Sequence, residues 1–517
     1  MNLLKTLAAV SGMTMLSRIT GLIRDVLIAS QFGANALTDA FNIAFRIPNL
    51  LRRLFAEGAF AQAFVPILAE YKTRQGDAAT KDLVDHVATL LTWALLLTCV
   101  LGIVGSPLIL YFAAHGLVGK TDVFSATVVM TRIMFPYIGF MSMVALAGGI
   151  LNTWREFRVP AFTPVLYNLT SIAGSLFLAP FLDQPIYALA IAVFVGGALQ
   201  LAIQVPALVR IGMLPRISFR LGTAWQDEGV RRIIRNMIPA ILAVSASQIS
   251  ILINTSIASS LPAGSTTWLG NADRLMEFPT ALLGVALGTI LLPGLSKANS
   301  DGDMTEYSAL LDWGLRLTFL LAMPAAVALA TIPEALTSTL YHHARYDAHS
   351  VQMTSNALIA YGVGLIGLIV VKILAPGFYA RQDIRTPVKI ALTVMISTQM
   401  LNVLFVPLFA HAGLALSVGL GACLNAMLLY KGLRERGIFN PQKGWLAFLI
   451  KLLAALLLMA GVALWMSDQF SWIAMRHTPF KRAAALLLVI ICCAATYFAA
   501  LAVMGFRPRD FRKVAKV

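Results

Sequence analysis

The chain has 517 residues, 58% of them hydrophobic and only 12% charged, with a mean hydropathy of +0.78. That balance excludes an ordinary soluble globular protein and points to an all-α polytopic membrane protein. The net charge of +16 does not indicate nucleic acid, because the basic residues are spread over many short loops instead of forming one block.

Long apolar runs predict fourteen transmembrane spans. They cover residues 8–29, 37–60, 87–113, 125–151, 161–178, 186–209 and 238–259, then 269–295, 310–330, 354–375, 388–409, 413–430, 445–466 and 483–504. The first span contains Arg18 and Arg24 and lacks a small-residue cleavage pattern, so it is expected to remain as a transmembrane helix. On that helix Thr14, Arg18, Gly21 and Asp25 share one face, with Arg24 on the adjoining one. Snorkelling explains an arginine near a helix end. Arg18 lies well inside its span, so a polar cavity is the better explanation.

Span 2 carries the most informative pattern. Asp39, Asn42, Arg46, Asn49 and Arg53 recur at steps of three and four, with Arg52 and Glu57 flanking them. Charged groups facing lipid are expensive, so this stripe is expected to face protein or a water-filled route. The alternative is that the groups pair and glue helices together. Arg46, Arg52 and Arg53 outnumber Asp39 and Glu57, which favours the polar route.

Alternate loops differ in charge: one set holds 25 lysines and arginines and the other 5. The positive-inside rule then places both termini in the cytoplasm. No extramembrane run is long enough for a folded domain. Any chemistry is expected in or at the membrane.

The chain also resembles itself. Residues 17–24 (Ser-Arg-Ile-Thr-Gly-Leu-Ile-Arg) align with 247–254 (Ser-Gln-Ile-Ser-Ile-Leu-Ile-Asn), and 156–160 (Glu-Phe-Arg-Val-Pro) with 383–387 (Asp-Ile-Arg-Thr-Pro). An offset near 230 residues equals six spans, the parallel-repeat arrangement of some secondary transporters. The expected organisation is two six-helix lobes, 1–220 and 221–440, followed by 441–517 with two extra C-terminal helices and a basic tail. Where the first copy has Arg18 and Arg24, the second has Gln248 and Asn254.

Span 8 adds Asp273, Arg274 and Glu277 after Trp268, and Arg274 and Glu277 are spaced to pair. Arginine suits phosphate because its planar guanidinium offers several donors in a fixed fork and stays charged. Arginines from spans 1, 2 and 8 therefore predict an anionic ligand such as a diphosphate. Other motifs are weaker. Residues 300–303 (Ser-Asp-Gly-Asp) read as a solvated turn, His342 and His343 as surface residues of an outer loop, and residues 362–367 (Gly-Val-Gly-Leu-Ile-Gly) as a helix-packing surface. No Walker motif or metal-ligand spacing is present, so no cofactor is expected.

Four runs give the sequence a family resemblance. They are 49–60 (Asn-Leu-Leu-Arg-Arg-Leu-Phe-Ala-Glu-Gly-Ala-Phe), 64–71 (Phe-Val-Pro-Ile-Leu-Ala-Glu-Tyr), 272–279 (Ala-Asp-Arg-Leu-Met-Glu-Phe-Pro) and 375–381 (Ala-Pro-Gly-Phe-Tyr-Ala-Arg). They closely resemble the MurJ (MviN) lipid II flippases of the multidrug/oligosaccharidyl-lipid/polysaccharide exporter superfamily. The resemblance implies a transporter, not an enzyme, in the bacterial inner membrane, with helices 13 and 14 forming a groove for a lipid tail. Its implied substrate is lipid II, the undecaprenyl-diphosphate-linked disaccharide-pentapeptide, alongside membrane lipids. The family's cavity arginines fall on Arg18, Arg24, Arg52 and Arg274, and Asp39 and Glu57 also match. Arg46, Arg53, Asn49, Asp25 and Glu277 rest on the residue patterns alone. A coupling ion is compatible with this reading, and a multidrug or other polyprenyl-diphosphate-oligosaccharide exporter is the alternative.

Overall fold

The computed structural model describes residues 3–53, 60–281 and 286–507, and among them the regular structure is helical without strands. Glu57, one of the expected site residues, lies outside the described residues. The chain divides into two compact units, Met1–Thr266 and Thr267–Val517.

The first unit holds α1 (Leu3–Phe32), α2 (Ala36–Arg52), α3 (Ala61–Arg74), α4 (Gly76–Ala113), α5 (Thr121–Met134) and α6 (Tyr137–Thr153). It continues with α7 (Arg158–Ala173), α8 (Tyr187–Ala202), α9 (Val205–Arg210), α10 (Leu221–Gln226) and α11 (Glu228–Ser259). The second unit holds all but the first two residues of α12 (Ser265–Pro279), then α13 (Ala286–Ser300), α14 (Met304–Thr331), α15 (Pro333–Tyr341) and α16 (Ala348–Leu374). After these come α17 (Pro376–Tyr379), α18 (Arg385–Phe409), α19 (His411–Glu435), α20 (Trp445–Asp468) and α21 (Pro479–Val503).

Ten helical segments among the described residues are long and apolar enough to cross a membrane. They coincide with spans 3–6 and 9–14. The described parts of spans 1, 2, 7 and 8 are also helical, as α1, α2, α11 and α12 with α13, and these are the segments that carry the polar residues singled out above. The whole is consistent with fourteen spans.

Two helices are much longer than the apolar runs that revealed them. α4 begins at Gly76, and its 38 residues reach about 57 Å at 1.5 Å per residue, well beyond a hydrocarbon core of about 30 Å. Its first turns carry Asp77, Lys81, Asp82, Asp85 and His86 and stand outside the apolar segment. α11 likewise starts at Glu228, capped by Asp227, whose side chain accepts from the Gly229 and Val230 amides. These polar extensions fasten to one another: His86 Nδ1 lies 2.7 Å from Asp227 Oδ2, and Arg232 donates to Glu70 at 2.9 Å. The Arg232 hydrogen bond holds the Glu70 carboxyl below the ordinary carboxylate range. Span 7, which the repeat assigns to the second lobe, thus packs on α3 and α4 of the first compact unit.

The aligned motifs at 156–160 and 383–387 follow matching backbone corners. Arg155 has φ +65° and Gln382 has φ +60°, and each immediately precedes an acidic residue of the aligned motifs. In the first copy the Glu156 amide donates to the Leu151 carbonyl and the Arg155 amide to Asn152. In the second, Asp383 donates to Phe378 and Gln382 to Tyr379, the same pattern position for position. A left-handed residue closing such bonds is a standard way to stop a helix. The next helix then starts at Arg158 in one copy and Arg385 in the other. Asp383 also accepts from the Thr386 amide and hydroxyl and from Arg436 Nη1 at 2.5 Å. Burial opposes its charge, yet the Thr386 bonds and the Arg436 guanidinium bring the carboxyl down to about 2.

In the second unit the glycines at 362–367 pack helices, as expected. A Cβ added to Gly364 would sit 2.0 Å from Gly419 Cα, and one on Gly367 would sit 2.6 Å from the Cys423 backbone nitrogen. α16 and α19 therefore touch backbone to backbone, the close approach that small residues permit in lipid. Gly364→Ala should cost about 1–3 kcal/mol or more by overpacking. Thermal unfolding in detergent checks this against Gly461→Ala, where an added Cβ meets nothing within 4 Å. Equal transitions for the two variants would remove the argument. α20 and α21 pack on α14 through Leu320, Phe448, Leu452, Leu456 and Val489, and Tyr497 donates to the Leu320 carbonyl at 2.6 Å. Residues 300–303 form the expected turn, with Gly302 at φ +71° and Asp303 capping α14 through the Glu306 amide.

Candidate functional site

Arg24 is the most firmly positioned of the expected site residues. It is 8% exposed on α1. Its Nε and Nη2 reach Asp25 Oδ1 at 2.9 and 2.6 Å, and its Nη1 donates to Asn168 Oδ1 on α7 at 2.9 Å. The guanidinium carbon lies 5.0 Å from the centre of the Tyr167 ring, which is stacked on Phe45 and tilted against Tyr137. Asn168 is buried and ties the arrangement to the helix it faces, donating to the Ser17 carbonyl at 2.9 Å and the Thr20 hydroxyl at 3.1 Å. A planar donor held at one edge by a carboxylate and at one face by an aromatic ring is fixed in orientation.

Arg18 lies six residues earlier, about 9 Å along the axis, and is exposed. No described carboxylate pairs with it. The structure therefore gives α1 one anchored arginine and one open one.

On α2 the stripe divides. Asn35 caps the helix by accepting from the Leu37 and Thr38 amides, which puts Asp39 in the first turn, where a negative charge suits the helix dipole. Asp39 is buried and accepts from the Gly264 amide at 2.7 Å. Arg46 is half-buried and donates to the Thr255 hydroxyl of α11 at 2.9 Å. Arg52 Nε donates to Asn49 Oδ1 at 3.0 Å, one turn back, and Arg53 is exposed at the helix end. Asp39 and Arg46 thus face α11 and the loop that follows it, while Arg52 and Arg53 sit at the other end of the stripe.

In the second unit, α12 buries Ala272 and Met276 and exposes Asp273, Arg274 and Glu277. Arg274 Nη1 lies 3.2 Å from Glu277 Oε2, and both side chains are about half exposed. Exposed pairs of this kind hold weakly, so the guanidinium can exchange its partner for another anion.

Within each unit, then, the structure joins Arg24 with Asp25, Arg52 with Asn49, and Arg274 with Glu277. Among the described residues no hydrogen bond or ion pair joins Arg18 or Arg53 to them. Sequence reasoning missed Asn168, Tyr167 and Thr255, single polar residues in apolar spans with no periodic partner to mark them. Among the described residues no group of three or more His, Cys, Asp or Glu stands close enough to hold a metal ion. The second unit also contains an apolar cavity of about 660 Å³ between α14, α16, α19 and α20, lined by Phe319, Gly367, Met427, Tyr430, Trp445 and Leu449.

Residues 28–481 match the family model described as lipid II flippase MurJ. The chain is 55% identical over 516 residues to the Burkholderia cenocepacia protein named lipid II flippase MurJ, covering 100% of both chains. It is 41% identical over 512 residues to a probable lipid II flippase MurJ of Haemophilus influenzae, covering 96% of this chain and 98% of that one. The fold is similar to that of a lipid II flippase MurJ solved in an inward closed conformation, with a TM-score of 0.79 at 24% identity over 95% of this chain and 99% of the other. An inward-facing multidrug resistance transporter of the MATE family gives 0.69 at 11% identity over 83% of this chain and 97% of the other. The family model and the full-length identity agree with the four sequence runs: the chain belongs to the lipid II flippase MurJ family.

Proposed function

We propose that this chain carries lipid II from the cytoplasmic to the periplasmic leaflet of the bacterial inner membrane. The observation that carries the reading is the 55% identity, over the whole of both chains, to a relative that bears that name. The chain is a transporter, not an enzyme.

The physical problem is asymmetric. A polyprenyl tail is at home in lipid, whereas a diphosphate and sugars lose their water on crossing, at a cost of several kcal/mol or more. In this reading Arg18, Arg24, Arg52 and Arg274 bind the diphosphate, assisted by Arg46, Arg53 and Asn49, with Asp39 and Glu57 in the same binding set, while Asp25 holds Arg24 and Glu277 holds Arg274 in position. Anchored Arg24 supplies a fixed fork, and Arg18 and Arg274 supply charge on solvent-exposed side chains. The apolar cavity beside α20 has the character required by the lipid tail.

Residues 1–220 and 221–440 act as two rocking lobes in an alternating-access cycle, with 441–517 guiding the tail and both termini in the cytoplasm. Moving negative charge outward is favoured by about 2.3 kcal/mol per charge per 100 mV in a cell negative inside. Membrane potential is therefore a sufficient driving force in kind, and a coupled ion would add to it. Multidrug transporters share the fold, but an exporter of cations needs carboxylates to dominate its cavity, and here the candidate residues are mostly arginines.

The test is the leaflet accessibility of lipid II in cells depleted of this protein and complemented with wild type or Arg274→Ala. Depletion should cut externally accessible lipid II several-fold, wild type should restore it, and Arg274→Ala should restore it only in part. Unchanged outward delivery on depletion would reject the reading.

A further inference from the structure

At the first turn of α21 an arginine is buried without a counter-charge. Arg482 is 0% exposed. Its Nη2 donates to the His342 carbonyl at 3.2 Å and lies 3.4 Å from His343 Nε2, while Nε and Nη1 are buried with no hydrogen-bond partner among the described residues. His342, expected on the surface, is instead 3% exposed, and its Nδ1 also lacks a partner. Both histidines belong to the short loop between α15 and α16. Arg476, from the loop before α21, donates to the Ala344 carbonyl of that same loop.

The charge here is one-sided. Arg476 and Arg482 are both cations, and an arginine in the first turn of a helix sits at the wrong end of the peptide dipoles. The carboxylate nearest in sequence to the histidines, Asp347, caps α16 by accepting from the Ser350 amide at 2.8 Å. Burial, with Arg476 and Arg482 behind it, holds the His342 ring down at about 4, so at neutral pH it is uncharged. Native proteins rarely leave buried donors unpaired, and a buried ion without a partner is strongly unfavourable.

We propose that this corner of the second unit is a binding site for a small monovalent inorganic anion of the halide class, held by Arg482 Nε and Nη1 with His342 Nδ1–H as a further donor. The sign of the charge excludes a metal cation. The complete burial of Arg482 excludes a large tethered anion such as a lipid phosphate, which would have to enter from the surface. The site is outside the arginine set assigned to lipid II, and the inference stands whether or not that assignment does.

The experiment is thermal unfolding of the full-length protein in detergent, with chloride exchanged for gluconate at constant ionic strength. The wild-type transition should rise and saturate with chloride. At chloride 100-fold above its dissociation constant, linkage raises the folded-to-unfolded ratio about 100-fold. Bromide should substitute, and crystals grown in bromide should give an anomalous peak beside Arg482. Arg482→Met should lose the chloride dependence, and in gluconate it should be at least as stable as wild type, since the stranded cation is gone. His342→Ala should weaken the dependence without removing it. A wild-type transition indifferent to chloride, meaning that water alone fills the site, would overturn the proposal. So would a dependence that survives in Arg482→Met.

Discussion

Arg24→Ala should abolish outward delivery of lipid II, the largest functional effect expected of any single substitution here. The Arg24 fork is the only one among the expected site residues that is held at once by a carboxylate, a buried amide and an aromatic face among the described residues. Hydrogen bonds to charged groups contribute about 1.5–3 kcal/mol each, so losing one or two to a diphosphate lowers affinity roughly 10- to 10,000-fold. Arg24→Lys keeps the charge without the planar fork and should fall between. The substitution also strands Asp25, so the measurement needs Arg24→Ala combined with Asp25→Asn. If that double variant regains wild-type delivery, Arg24 was holding the helix together and not the substrate.

The largest loss of stability is expected from Asp312→Ala. This carboxylate is buried on α14 and accepts from Arg316 Nε at 2.7 Å, Trp445 Nε1 at 2.7 Å and the Gln442 amide at 3.0 Å. It therefore fastens the segment leading into α20 to α14. Arg316 lies across the Trp445 and Phe448 rings and donates to the Lys443 carbonyl at 3.1 Å, so it stays in place when its carboxylate is removed. Removing one partner of such a pair costs about 3–5 kcal/mol, because the other charge and two further donors are left unsatisfied. Asp312→Asn keeps an acceptor and should cost less. Thermal unfolding in detergent measures both, and a loss below about 1 kcal/mol for the alanine variant would contradict the network described here.

Much of the fold was legible because a bilayer imposes a simple rule: apolar runs of sufficient length become helices. The rule fails where a helix continues into water. α4 and α11 extend past their apolar runs on polar residues that the hydropathy pattern assigns to loops, and their pairing through Glu70, Arg232, His86 and Asp227 involves partners 141 to 162 residues apart. For the site, repetition made the difference. The α2 stripe was visible because its polar residues recur at helical spacing, although the structure directs Asp39 and Arg46 toward α11. Asn168 and Tyr167 left no such trace, since one polar or aromatic residue in an apolar span fits packing as readily as function. His342 was misread for the opposite reason: close in sequence to His343, Arg345 and Asp347, it looks like a surface residue, and only tertiary packing buries it.

The matched corners at Arg155 and Gln382 bear on how the molecule arose. A left-handed bend is set by the main chain, and Arg and Gln fill it alike, at a strain of about 1–2 kcal/mol for any residue with a Cβ. An ancestral half that was doubled and fused would keep such corners long after its ionisable groups had drifted apart, since the bend constrains geometry and not charge. Arg18 and Arg24 opposite Gln248 and Asn254 are then the record of one half specialising in electrostatics while its twin preserved the architecture.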